Sequence, residues 1–107
     1  MRLRLPKQVI LEREDGRRYI QVVISKMPKE YEDCDGIYIY SERKIIIDEH
    51  LVPNERLITL IHEYMHAVNH SKRFAKSPRT EHKIIRICEN PLFDLINAIM
   101  RANLRKK

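Results

Sequence analysis

The sequence of 107 residues contains no tryptophan, only two glycines and only two cysteines, and none of its apolar runs is long. Cys34 and Cys88 stand far apart with no CxxC pair, so we interpret both thiols as inert rather than as zinc ligands. No run is long enough for a membrane span or for the apolar core of a signal peptide. These absences predict a cytoplasmic protein with no membrane partner.

The composition that is present is typical of one small globular domain. Apolar residues make up 43% of the chain and charged residues 34%. At 107 residues the chain is too short for a separate substrate-binding domain, so any active site must be an open groove on a single domain, residues 1–107. Abundant lysine, arginine and glutamate with little glycine indicate a thermophilic source.

The net charge of +6 raises the question of an acidic partner such as nucleic acid. The positive charge lies largely at the two ends of the chain and in a third patch, which comprises Lys72, Arg73, Lys76 and Arg79. Phe74 is the only aromatic residue among these, so the sequence predicts no base-stacking surface. We therefore do not expect nucleic acid to be the partner.

The first third of the chain predicts a β-hairpin. Residues 8–13 and 18–25 are rich in Val, Ile and Tyr, and they flank Asp15-Gly16, a strong signal for a tight turn. The absence of glycine from residues 18–30 leaves a helix open as an alternative for the second of these segments. Two antiparallel strands are the preferred interpretation.

The next segment predicts a second hairpin. Residues 26–35 indicate a connection or a short helical turn, because they contain a proline and end in Asp-Gly. Residues 37–40 alternate in the manner of a strand, residues 41–43 turn, and residues 44–48 form a β-branched run. We interpret the tyrosines of the first strand, Tyr38 and Tyr40, as half-buried cover rather than as catalytic groups.

The second half of the chain predicts three helices. Asn54 is a good N-cap for a helix that runs to His70, and Ser77-Pro78 begins a second helix that ends near Glu89. Asn90-Pro91 breaks or kinks the chain, and a third helix follows from Leu92 to Leu104. The predicted fold is α+β, with a small antiparallel sheet packed on the first helix and the second helix bracing it.

The first of these helices carries an HExxH pattern, His62-Glu63-Tyr64-Met65-His66. The composition predicts only roughly 0.02 chance matches to this pattern. Residues four apart share one face of a helix, so the two histidines can converge on one ion, and Glu63 can hold and deprotonate a bound water. The alternative is a pair of solvated surface histidines.

A catalytic zinc normally takes three protein ligands and leaves a fourth position for water. His70 is no candidate for the third, because it lies about two turns, roughly 12 Å, from His62. The second helix offers His82, Glu81 and Glu89. We prefer His82, because it lies on the flank of that helix's apolar stripe and can reach a neighbouring helix. Glu81 is the second candidate and Glu89 the third.

The HEYMH motif, followed by a helix that bears a ligand, resembles the gluzincin metallopeptidases. The short chain and a histidine at position 82 are similar to the minigluzincins, small proteins of thermophilic prokaryotes that are themselves similar to the catalytic domains of HtpX-type membrane peptidases. The resemblance covers residues 37–89 well and the first thirty residues poorly. It implies a zinc endopeptidase in which His62, His66 and His82 bind Zn²⁺ and Glu63 is the general base.

The function expected from these parts is hydrolysis of peptide bonds in a peptide or protein substrate by a zinc-bound water, with Glu63 carrying the proton to the leaving amine. We expect the zinc to be a stronger Lewis acid than in a site with a carboxylate ligand, because three neutral imidazoles leave its charge undiminished. One alternative is a zinc-stabilised nucleic-acid-binding module without proteolytic activity, for which the evidence is net charge. Another is a peptidase fold that has lost its activity.

The C-terminal segment, residues 91–107, has three interpretations. The resemblance to minigluzincins implies a latent zymogen, in which such a segment covers its own cleft or is exchanged as a helix within a homodimer. An amphipathic helix can equally close the core of its own domain.

Overall fold

The computed structural model describes the backbone of residues 4–13 and 16–105 and the side chains of residues 4–11 and 16–102. The chain folds as a four-stranded mixed sheet followed by two long helices packed on it. In chain order the elements are β1 (Gln8–Arg13), β2 (Gly16–Ser25), β3 (Gly36–Ile39), β4 (Lys44–Asp48), α1 (Pro53–Lys72) and α2 (Pro78–Arg105). No helix in the described ranges is long and apolar enough to cross a membrane.

The first predicted hairpin is confirmed. β1 and β2 pair antiparallel, with Gln8 opposite Gln21 and Arg13 opposite Gly16. The helical alternative for residues 18–30 is wrong, since most of that segment is strand. Alternation along β2 buries Ile20 and Val22 in the core and leaves their neighbours towards solvent. Asp15 of the predicted turn lies outside the described residues.

The second predicted hairpin is also confirmed, and the connection before it contains a short 3₁₀ turn at Lys29–Tyr31. The prediction of a purely antiparallel sheet is wrong, because β2 pairs parallel with β4 in the strand order β1-β2-β4-β3. After β2 the chain crosses to the edge of the sheet, where it forms β3. It then returns as β4, which lies between β2 and β3. β4 is therefore a central strand, and its Ile45 and Ile47 are fully buried.

Helix α1 packs on the sheet through its apolar side, where Leu57, Leu60 and Ala67 are buried. Its predicted start is two residues late, because the N-cap is Val52 rather than Asn54. Pro53 suits the first helical position, since its missing N–H has no helical acceptor there and its fixed φ is already helical. The helix continues through His70 to Lys72 and ends at a left-handed Arg73.

The prediction of separate second and third helices is wrong, because α2 runs unbroken from Pro78 to Arg105 through Pro91. Its predicted start is confirmed, since the Ser77 hydroxyl accepts a hydrogen bond from the Thr80 backbone N–H at 3.2 Å. Proline removes one backbone hydrogen bond but does not forbid a helix. Here the helix continues because Leu92, Ile96 and Met100 keep one phase along a shared apolar groove.

Candidate metal centre

The two motif histidines of α1 face each other across one turn. His62 and His66 have their Nε2 atoms 3.2 Å apart, and their ring planes meet nearly edge to face. Both side chains are half-buried, because they lie off the apolar side of α1 where α2 passes. Two imidazole nitrogens are thereby aimed at one small volume, as the spacing of four residues predicts.

The first turn of α2 brings a third imidazole to the same place. One ring nitrogen each from His62, His66 and His82 lies within 4.8 Å of the other two. His82 is exposed, and its Nδ1 lies 2.9 Å from the Pro78 carbonyl oxygen. Because a carbonyl only accepts, His82 Nδ1 donates that hydrogen bond, and Nε2 keeps its lone pair for another partner.

The other two histidines are held in the same way by carboxylates of α2. His62 Nδ1 lies 2.8 Å from Glu89 Oε2, and His66 Nδ1 lies 2.5 Å from Glu81 Oε2. Ionised carboxylates only accept, so each Nδ1 carries the proton and each Nε2 presents a lone pair. Such carboxylate–histidine contacts fix ring orientation at metal sites and make the imidazole a stronger ligand.

This donor set fits a metal ion. Three neutral imidazoles with their Nε2 lone pairs converging are a familiar ligand set for zinc, and they leave a fourth position open for water. The structure brings together the three predicted ligands, His62, His66 and His82. Glu81 and Glu89, the second and third candidates, contact imidazoles instead. The sequence held no sufficient signal for this role, because the pairing of Glu81 with His66 and of Glu89 with His62 follows only from the way α2 crosses α1.

The remaining motif residue, Glu63, lies where α1 meets strand β3. It is 9% exposed, and its Oε2 is 4.0 Å from His62 Nε2. Burial raises the pKa of the Glu63 carboxyl above its usual value. A hydrogen bond from the Tyr38 backbone opposes this effect, as would the histidines of the cluster in their protonated form. A carboxyl in this setting is suited to accept a proton and give it back.

Gly36 allows strand β3 to approach this carboxyl. A Cβ placed at Gly36 would lie 2.5 Å from the Thr59 methyl carbon and 3.4 Å from Glu63 Cγ. Thr59 and Glu63 are four residues apart and therefore on the same face of α1. The contact between backbone and helix at this point depends on the missing side chain.

An open groove of about 410 Å³ runs beside β3, with Glu63 and His66 in its wall. β3 is an edge strand, since it pairs with β4 alone in the described sheet. Tyr40 and His70 also line the groove, and the centroids of their rings lie 3.7 Å apart. His70 is outside the histidine cluster, as the spacing predicts.

The two tyrosines nearest the motif have different surroundings. Tyr64 lies on the apolar side of α1, where its hydroxyl donates a hydrogen bond of 2.9 Å to the Ile10 carbonyl and burial raises its pKa. It is thus tied to β1, away from the histidines. Tyr38 is half-buried against the core, as predicted, but Tyr40 is 60% exposed and lies in the 3₁₀ turn after β3.

Comparison with known proteins gives one result. The family model described as Peptidase_M78, IrrE N-terminal-like domain, matches residues 5–99, which is nearly the whole chain. Searches of curated proteins and of solved structures give no match.

Proposed function

The chain belongs to the Peptidase_M78 family of metallopeptidases, and we propose that it hydrolyses peptide bonds with the help of a zinc ion held by His62, His66 and His82. The observation that carries the proposal is that one ring nitrogen each from His62, His66 and His82 lies within 4.8 Å of the other two, while the Nδ1 atom of each ring has an oxygen partner. When bound there, zinc supplies a Lewis acid that lowers the pKa of a water ligand and polarises the scissile carbonyl. We also propose that, within the metallopeptidases, the chain is related to the minigluzincins.

Glu63 is the general base in this proposal. Its carboxylate accepts a proton from the attacking water and passes it to the nitrogen of the leaving amine. A hydrogen bond from the Tyr38 backbone holds the carboxylate in place, and burial keeps bulk water from competing for it. The raised pKa of Glu63 brings its basicity closer to what proton transfer near neutral pH requires.

Glu81 and Glu89 moderate the charge of the site. Three neutral imidazoles would leave the charge of a divalent ion undiminished, but two of them donate hydrogen bonds to carboxylates. These contacts place negative charge behind the ligands and raise their basicity. The proposed centre therefore binds metal more firmly, and is a milder Lewis acid, than three isolated histidines would be.

The free edge of β3 is the proposed site for the substrate backbone. An extended peptide added to this edge would lie in the groove beside Glu63 and His66, and its own N–H and C=O groups would pair with those of β3. This mode recognises backbone rather than sequence. It suits a groove that is open along its length.

Metal analysis and one substitution test the proposal. Purified wild-type protein should contain close to one zinc per chain, and His82→Ala should lose it. Glu63→Gln should retain the zinc and cleave casein or a quenched peptide about 10²- to 10⁴-fold more slowly. Wild-type turnover by the Gln variant would overturn the role of Glu63. Zinc retained by His82→Ala would move the third ligand to Glu81.

Latency of the enzyme and a homodimer through the C-terminal segment stay predictions. Leu92, Ile96 and Met100 line an apolar groove of about 470 Å³ together with residues of α1 and β1, and none of the three histidines lines it. If residues 91–107 restrain activity, a chain that ends near residue 90 should stay folded and be more active. A truncated chain that is unfolded, from a parent that is monomeric by light scattering, would identify the segment as part of the core.

A further inference from the structure

The outward face of α2 beside the histidine cluster is basic. Arg79, Lys83 and Arg86 follow one another at steps of four and three residues, so they lie on one side of the helix, and all three are exposed. Together with His82 and Ile87 they line a shallow hollow of about 510 Å³. The third predicted metal ligand is thus a wall of this hollow as well as a member of the cluster.

These positive charges are not neutralised within the described part of the chain. None of Arg79, Lys83 and Arg86 has a side-chain hydrogen bond or ion pair with a described residue. The carboxylates nearest to them in sequence, Glu81 and Glu89, are engaged with His66 and His62. No described carboxylate forms an ion pair with this face, so it is open to an acidic ligand.

The geometry of the helix puts the charges next to the proposed reaction. Arg79 is one turn before His82 and Arg86 one turn after it, so the two guanidinium groups flank the third ligand. The groove beside β3, on the side of Glu63 and His66, has no arginine or lysine among its lining residues. The two sides of the cluster therefore differ in charge.

Resting on the proposed peptidase function, we propose that this basic face binds acidic side chains of the peptide substrate on one side of the scissile bond. Arginine recognises carboxylates with paired hydrogen bonds. Ile87, 65% exposed in the same hollow, provides an apolar surface for the methylene groups of a glutamate. The preferred substrates are peptides with two or three Asp or Glu residues within a few positions of the cleaved bond.

A peptide fits the hollow better than nucleic acid does. No aromatic side chain other than the His82 imidazole lines it, so it lacks a platform on which bases could stack. Nucleic-acid grooves carry many cations along a track of several nucleotides, whereas here three cations surround one histidine. The shared residue His82 links the surface to the metal centre rather than to a separate binding site.

The cleavage test uses three quenched peptides that share one scissile sequence. One carries three Glu residues before the scissile bond, one carries them after it, and one carries Gln in all these positions. We expect one of the acidic peptides to have a KM about fivefold below that of the Gln peptide, with kcat unchanged and the difference lost in 0.5 M salt. Equal KM values for all three peptides would overturn the proposal and leave the peptidase function intact.

Substitutions assign the preference to this face. Arg79→Glu combined with Arg86→Glu should abolish or reverse the preference, and Arg79→Gln combined with Arg86→Gln should remove it. Arg101→Glu is the control, since it makes the charge change of one of these Arg→Glu substitutions on an exposed position of the same helix, about 22 Å from Arg86. A preference lost equally in the Arg101→Glu variant would show a general charge effect and reject the assignment.

A binding test separates this proposal from the proposed function. In a Glu63→Gln background, anisotropy of a labelled acidic peptide should show binding that weakens about fivefold in the Arg79→Glu, Arg86→Glu double variant. If the acidic peptide binds in this way but wild-type protein cleaves no peptide, the peptidase function fails and the surface assignment stands. A single-stranded oligonucleotide of similar length that binds more tightly than the peptide, through the same arginines, would overturn the proposal in favour of nucleic acid.

Discussion

The two sides of helix α1 have different roles, since one side packs in the core and the other forms the candidate metal centre. On the core side, Leu60 and Ala67 are buried against residues of the sheet and stabilise the fold through apolar area. On the site side, His62, Glu63 and His66 are held by single hydrogen bonds and close backbone contacts. The core side depends on volume and the site side on individual atoms, so substitutions on the two sides should have separable effects.

The largest expected effect comes from the core side. Leu60→Ala removes a side chain that is 6% exposed and should lower the free energy of unfolding by about 2–5 kcal/mol. Although residue 60 is only two positions from His62, it lies on the opposite side of the helix. Chemical denaturation measures the loss, and zinc content per folded chain should stay near one. Loss of metal by a Leu60→Ala variant that is still folded would contradict the separation of the two sides.

On the site side, Glu81→Gln should weaken metal binding and leave folding almost unchanged. The amide keeps the shape of the side chain but loses the charge that supports the Nδ1 proton of His66. We expect zinc affinity to fall about 10- to 100-fold, measured by competition with a chromophoric chelator. Glu89→Gln should act in the same way through His62. The control is Glu55→Gln, at an exposed position in the first turn of α1, which should keep wild-type affinity.

Gly36→Ala tests the boundary between the two sides, where β3 touches α1. The new methyl group would overlap the Thr59 methyl carbon, so the Thr59 side chain or β3 must shift beside Glu63. We expect a loss of about 1–2 kcal/mol in stability and a lower kcat with little change in zinc content. Combining it with Thr59→Ser, which removes the overlapping methyl, should restore much of both. An unchanged kcat in the single variant would show that β3 does not position the base.

The smallest expected effect is a pH dependence from Glu63. Because burial raises its pKa above the usual 4.5, the folded metal-free protein holds this proton to higher pH than the unfolded chain. Wild-type stability is therefore lost as pH rises from the unfolded pKa through the folded pKa. The Glu63→Gln variant has no such loss. After chelator treatment of both proteins, the melting temperature of Glu63→Gln should equal that of wild type near pH 4 and exceed that of wild type at pH 7. A constant difference at all pH values would contradict the direction of the shift.

The sequence was sufficient for the local elements and the motif histidines. Alternation and β-branched runs located all four strands, and the HExxH spacing put His62 and His66 on one side of a helix. The sequence was not sufficient to predict how the two hairpins pair with each other. Each hairpin specifies the pairing of its own two strands but not which of them lies next to a strand of the other hairpin. The parallel pairing of β2 with β4 is decided by long-range packing of β4.

The third ligand candidates show a similar limit. Helical periodicity placed His82 and Glu89 on one flank of α2 and thus limited the candidates. It could not show that Glu81 and Glu89 would contact imidazoles, since this depends on the distance and direction at which α2 crosses α1. Nor could it show that the helix continues past Asn90-Pro91. That outcome depends on apolar contacts of Leu92 and Ile96 with other elements.

Pro91 within α2 has a consequence for local opening of the fold. Proline has no N–H to donate, so the Ile87 carbonyl lacks its helical hydrogen bond. The helix is therefore weakest over the turn from Ile87 to Pro91, which contains Glu89, the last carboxylate that holds the histidines. Beyond this point Leu95 and Ile99 are more than half exposed, so the apolar contacts of the final turns are those of Leu92, Ile96 and Met100. In amide hydrogen exchange, the end of α2 should therefore open as a unit of its own, with low protection, while the turns that carry His82 exchange with the core.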